Sequence, residues 1–413
     1  MSQGPQFRPA TDKRGRVTRY RVELPHAGIV ETEHNRFEAT EYAEKRTGWK
    51  GRYLELRDSV LGVTLANHRL EGERLTKIKA LAVFSSDALS SVAYATQEIL
   101  FVLVLAGPAA IKYSLPIAGC IALLLAIVIA SYRQTVRAYP SGGGAYIVAH
   151  ENLGIGAGLI AASALLIDYV LTVSVSVAAG MDALASLNSG FRPFAVPMAV
   201  AIVALVALIN LRGVSESGTI FSIPTYAFIG TLTVAILIVL IKIVTGGGNP
   251  LAAGTPDPNA LQGNFQSLGL LLLLKAFANG CTALTGVEAI SNGVQAFKQP
   301  AAQNASRTLM AMGLILGTMF IGMTIIARYY AFIPAEDNTI PAQLGARAFG
   351  DGTVLFGFLQ IMTAAILVLA ANTSFADFPR LSAILARDGY MPRVFHSRGN
   401  RLVFSYGIIV LAS

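Results

Sequence analysis

The amino-acid sequence predicts an all-α integral membrane protein whose first and sixth helices are broken and related by an inverted repeat. Three observations carry this reading. Of the 413 residues, 54% are hydrophobic and only 14% charged, whereas a soluble domain carries about 25% charged residues. The apolar residues gather into runs long enough to cross a bilayer, which takes about 20 residues of helix. A five-residue motif in the first run recurs, five helices later, at a second polar interruption.

Charge is unevenly divided along the chain. Residues 1–80 hold 16 of the 32 Lys/Arg and 11 of the 24 Asp/Glu, so a polar, basic head (1–75) precedes an apolar body (76–413). Within the head, the alternation from Val17 to Leu24 suits a strand, and Tyr53–Val63 a short interfacial helix. The bland reading, a solvated cytoplasmic extension, is preferred for it. The net charge of +8 is explained by membrane topology, and no nucleic-acid partner is expected. Cys120 and Cys281 lie in apolar runs and read as small buried side chains. The five histidines lie outside those runs, so no resident metal or other cofactor is expected.

Eight spans are predicted, at 79–106, 113–132, 155–183, 194–211, 218–243, 267–295, 308–332 and 353–376. A further run begins near Leu402. With the N-terminus cytoplasmic, the inner connections carry ten Lys/Arg, from Arg133 and Arg137 to Arg398 and Arg401. The outer ones carry four, Lys112, Arg192, Lys242 and Arg347, as the positive-inside rule requires. The connections at 244–266 and 333–352 are rich in Gly, Pro and Asn and read as exposed outer loops.

Ionisable groups inside spans are costly and mark a pathway or a binding site. On a continuous first helix, Asp87, Ser90, Ser91, Tyr94 and Glu98 would fall within about 60° of one line. The third span places Asp168, Tyr169, Thr172 and Ser176 within an arc of about 100°. The sixth contains Asn279-Gly280 and Gly286-Val287-Glu288, where glycines weaken helicity at mid-membrane depth. Lys275, two turns earlier, reads as a counter-charge. Glu98, Asp182 and Asp377 lie near span ends and carry less weight. Single Ser and Thr residues often serve packing by bonding back to the i−4 carbonyl, so the carboxylates bear most of the argument.

The repeat pairs Ala88-Leu89-Ser90-Ser91-Val92 with Ala283-Leu284-Thr285-Gly286-Val287. The sixth span lies five spans after the first, an odd offset, so the two helices enter from opposite sides and their broken parts meet at the midplane. Carboxylates, hydroxyls and freed carbonyls there form an oxygen-rich cage suited to a monovalent cation. A zwitterionic substrate would instead need free N–H groups for its carboxylate, where this chain has Ser85-Ser86-Asp87.

The run Ser85 to Tyr94 resembles the first helix of the KimA-type potassium transporters, a KUP-related branch of the amino acid–polyamine–organocation permease superfamily. Tyr139 to Tyr146, Asp168-Tyr169, Leu284 to Ser291 and Ala370 to Thr373 are similar to further segments of that family. The likeness covers roughly residues 75–413 and not the head. It implies a LeuT-like fold, no enzymatic activity, and proton-coupled potassium uptake across the bacterial plasma membrane. On the family pattern Asp87, Tyr94, Asp168 and Tyr169 match positions lining the potassium path, as do Thr172, Ser176 and Thr285. Glu288 matches a proton-coupling carboxylate. Potassium and the proton are then transported ions, and the partners are the lipid bilayer and a small cation, with homodimer formation left open. Ten spans make up the five-plus-five repeat, so the chain is expected to be a C-terminally truncated piece lacking the nucleotide-responsive domain of relatives.

Three other functions share parts of this pattern. An amino-acid or amine permease of the same superfamily is the nearest alternative, because a cationic amine could also use Asp87. A passive channel differs only in lacking coupling to the proton gradient. An intramembrane aspartyl protease using Asp87 and Asp168 lacks its motifs within a span. Gly142-Gly143-Gly144 lacks the Lys-Ser/Thr of a phosphate loop and reads as a backbone bend.

Overall fold

Thr76 opens the helical body: its hydroxyl accepts from the Lys79 amide and caps the first helix of the first span. That span does not continue as one helix. In this computed structural model it is divided into α1 (Lys77–Phe84), α2 (Ser86–Ser90) and α3 (Val92–Val104). The structure describes residues 6–11, 17–23, 29–33, 36–39, 75–140, 144–212, 218–246, 267–335, 338–397 and 404–413. The chain forms two compact units, Met1–Glu71 with Asn400–Leu402, and Gly72–Gly399 with Val403–Ser413.

The first unit contains two antiparallel strand pairs, β1 (Gln6–Thr11) with β2 (Val17–Glu23), and β3 (Ile29–Glu33) with β4 (Arg36–Ala39). β2 is the strand predicted from Val17. The predicted interfacial helix at Tyr53–Val63 lies outside the described residues.

All named elements of the second unit are helical. After α1–α3 come α4 (Ser114–Ala138), α5 (Ala145–Leu153), α6 (Ile155–Leu187), α7 (Ala195–Leu211) and α8 (Gly218–Val244). The sixth span is divided into α9 (Leu270–Gly280), a 3-10 turn (Cys281–Leu284) and α10 (Ala289–Asn292). Then follow α11 (Ala301–Tyr329), α12 (Ile340–Phe349), α13 (Val354–Arg387) and α14 (Ser405–Ala412). Among the described residues, seven helical segments are long and apolar enough to cross a membrane. The first predicted span is missing from that group because its helix is interrupted, leaving Val92–Val104 as a shorter apolar piece.

The helices bury one stripe and expose another apolar one, as a bilayer-embedded bundle does. Leu271 and Val354 are 83% and 88% exposed, while Phe228, Phe320 and Phe332 are fully enclosed. The two broken spans are tied together at one end of the bundle. Leu75 donates to Ala296 O at 2.7 Å and accepts from the Lys298 amide at 3.0 Å, and Phe84 stacks on Phe297.

Two expectations are corrected. The connection at 333–352 is not an exposed loop throughout, because it folds into α12, whose Ile340, Gln343 and Leu344 are buried. Thr339 caps that helix and Pro341 sits in its first turn, which sets it up despite the flanking Gly and Asn. Cys120 is exposed and Cys281 half-buried. An apolar span has a lipid-facing side, so an apolar run does not by itself bury a thiol.

Candidate functional site

The two repeat motifs lie at the two helix breaks, and the breaks touch. Ser91 donates to Ala88 O at 2.6 Å and reaches Ala283 O of the sixth span at 3.4 Å. The chain leaves the 3-10 turn through an extended Thr285 and then Gly286 at φ +72°, a backbone that L side chains rarely adopt. A Cβ on Gly286 would lie 2.6 Å from Asp87 Oδ2 and 2.8 Å from the Ala88 amide nitrogen. Asp87 is therefore packed against bare backbone.

Asp87 is 4% exposed, and its Oδ1 has no hydrogen-bond partner among the described residues. Four hydroxyls on the broken spans and α6, those of Ser85, Ser176, Thr282 and Ser291, are also buried without a partner among the described residues. Glu288, just after the break, is 7% exposed. From α6, Tyr169, Thr172 and Ser176 are buried, while Asp168 is half-buried. The Tyr94 phenol engages the Thr285 side chain, and Thr285 itself donates to Thr282 O at 2.9 Å.

Electrostatically the site is one unit. Asp87 feels Glu288, Asp168 and Asp377, and the same four carboxylates act on Tyr169. The structure thus brings together Asp87, Tyr94, Asp168, Tyr169, Thr285 and Glu288. Thr172 and Ser176 follow Asp168 along one face of α6, one and two turns on. Among the described residues the acidic groups do not converge closely enough to hold a metal ion. Buried carboxylates with spare oxygens and few internal donors are either protonated or paired with a cation.

Several sequence inferences are corrected here. The face through Asp87, Ser90, Ser91, Tyr94 and Glu98 assumes one continuous helix, whereas the structure interrupts it at Ser91, a residue that keeps helical backbone at φ −60° and ψ −24°. Ser90 turns back to Asp87 O at 2.7 Å, and Glu98 instead accepts from Asn279 at 3.3 Å. Lys275 lies on the exposed side of α9 and does not face the buried carboxylates. Asp377 lies one residue past the predicted end of its span at 376. The helix runs on to Arg387 through Pro379, so this carboxylate lies within it.

Both ends of the bundle are covered. Towards α12, a small cavity of about 10 Å³ lies among Tyr94, Gln97, Asp182, Thr339 and Thr363, room for about one water. The Ile340 amide donates to Gln97 Oε1 at 3.1 Å and the Thr339 amide to Ser186 Oγ at 3.3 Å, pinning α12 over it. At the other end Tyr146 of α5 donates to Asp388 Oδ2 at 2.8 Å, and Gly144 abuts the Asn292 side chain. Of the glycine stretch, residues 141–143 lie outside the described residues. Between spans four and eight, Asn210 donates to Asn372 Oδ1 at 2.7 Å.

Comparison with known proteins agrees with this architecture. The chain is 48% identical over 359 residues to the potassium transporter KimA of Bacillus subtilis, covering 87% of this chain and 58% of that protein. It is 24% identical over 282 residues to the low-affinity putrescine importer PlaP of Escherichia coli, covering 64% and 57%. It is 26% identical over 312 residues to the vacuolar cationic amino acid transporter 4 of Arabidopsis thaliana, covering 70% and 48%. The chain spans about half the length of these curated relatives. A family model described as amino acid permease matches residues 75–413, beginning at Leu75, where the two broken spans are tied together. The chain belongs to the amino acid permease family.

Proposed function

We propose that this chain carries the substrate site of a proton-coupled potassium uptake transporter of the bacterial plasma membrane, with its N-terminus cytoplasmic. The observation that supports this best is Asp87, a buried carboxylate with an unpartnered oxygen, set against Gly286 where two broken helices meet. Potassium would exchange its water shell for Asp87, Asp168, Tyr94, Tyr169 and the hydroxyls of Thr172, Ser176 and Thr285. Glu288 would carry the coupled proton, since it is buried beside the break and feels Asp168 directly. The membrane potential adds about 2.3 kcal/mol per charge per 100 mV to inward movement. No resident cofactor is needed for this; the bilayer and the small cation are the partners.

A second reading is import of an organic amine, favoured by the likeness to a putrescine importer and a cationic amino acid transporter. Asp87 could hold an ammonium group as well as potassium. The separating experiment is growth of a potassium-uptake-deficient bacterium on limiting potassium, with labelled putrescine uptake measured in parallel. Rescue of growth without putrescine uptake is expected. Putrescine uptake without rescue would overturn the potassium reading.

A further inference from the structure

Asp377 is the carboxylate the site leaves unexplained. It lies on α13, about 16 Å along the helix axis from Asp388 at 1.5 Å per residue, on the side of the site towards the Tyr146–Asp388 contact. Its side chain is 12% exposed, and Arg380, whose own is 55% exposed, reaches it at 3.3 Å. It acts on Asp87, Glu288 and Tyr169. Two further observations mark the spot as a place for a ligand. Ser374, one turn earlier on the same face, is 1% exposed and has no hydrogen-bond partner for its hydroxyl. Pro379 brings no amide to the Phe375 carbonyl, which leaves that oxygen without its helical donor on the same stretch of α13. A carboxylate, a hydroxyl and a freed carbonyl on one stretch of helix are cation ligands.

We propose that Asp377 is a further cation-binding carboxylate, a relay between the central site and the Tyr146–Asp388 end, and that Arg380 is its tethered counter-ion. This rests on the reading of the chain as a cation transporter. With no ion at the relay, the guanidinium neutralises Asp377. A small cation leaving Asp87 would displace it, and the Arg380 head would swing back towards solvent as the cation departs. The long stem and exposed position of Arg380 suit that exchange, whereas a buried pair would be locked by desolvation.

The test uses the full chain in proteoliposomes, with ⁸⁶Rb⁺ and labelled putrescine as probes, and compares the parent with Asp377→Asn and the exchange Asp377→Arg/Arg380→Asp. Asp377→Asn should lower the maximal uptake rate about tenfold, the scale of local electrostatic focusing, with KM within about threefold because the central site is untouched. The exchange restores an ion pair but reverses its charges, so it should stay as slow as Asp377→Asn for whichever cation the parent carries. An exchange variant that recovers parental rates would make the pair purely structural and overturn the relay. A parent that carries neither cation would instead overturn the transport reading on which the relay rests.

Discussion

Asp87 and Gly286 are in backbone-to-side-chain contact, so close that a single added methyl carbon would stand 2.6 Å from the carboxylate oxygen. The contact joins the two halves of the repeat, because Gly286 is the counterpart of Ser91 in the matched motif. A left-handed backbone at φ +72° and the absence of a side chain are both needed there.

Gly286→Ala therefore meets two obstacles: a conformation that costs about 1–2 kcal/mol for an L residue, and the Asp87 side chain. Cation uptake is expected to fall more than about tenfold, the rate equivalent of that cost, while the purified variant remains helical by circular dichroism. Parental uptake in Gly286→Ala would show that the close approach is not part of the site.

Glu288→Gln keeps the shape of the break and removes the exchangeable proton. Potassium affinity should stay within about threefold, less than 1 kcal/mol, while proton-driven accumulation collapses. Equal losses of binding and accumulation would contradict a coupling role.

How far these residues were legible depended on how local their signal was. Both helix breaks could be read because Gly, Ser and Asp stand together inside apolar runs, and the repeat pointed to their meeting. The consequence of the break for Ser90, Ser91 and Glu98 could not be read, since the angular argument holds only for an unbroken helix. Asp377 carries little weight in the sequence because its span reads as ending at 376, whereas packing carries α13 through Pro379 to Arg387. Likewise α12 is short and its burial is tertiary, so its Gly- and Asn-rich flanks dominated the reading.

α12 depends on Gln343, whose Nε2 donates to Ile333 O at 2.7 Å and to Asn338 O at 2.9 Å. Gln343→Leu removes both bonds, including the one to the buried Ile333 carbonyl, at a cost of about 1–3 kcal/mol. Hydrogen exchange of the amides at 340–345 should accelerate in the variant before the rest of the bundle opens. Unchanged exchange there would mean that other contacts hold α12.

At the opposite end, burial and the bond to Asp388 both push the Tyr146 phenol above its ordinary value, which is about 10. The raised value means that the neutral, donating phenol is the form the fold favours. Its contribution is thus complete below about pH 10 and is lost as pH rises through the higher folded value. Tyr146→Phe should remove one phenol from the late-titrating part of the tyrosinate absorbance and cost about 1 kcal/mol of stability. An unaltered titration in that variant would detach the late group from Tyr146.

The most direct test of the central claim is potassium binding to the purified full chain and to Asp87→Asn, measured by isothermal titration calorimetry in a potassium-free buffer. Saturable binding by the parent and none by the variant, with equal helicity by circular dichroism, is the predicted result. An Asp87→Asn chain that binds potassium with the parent's affinity would contradict the account.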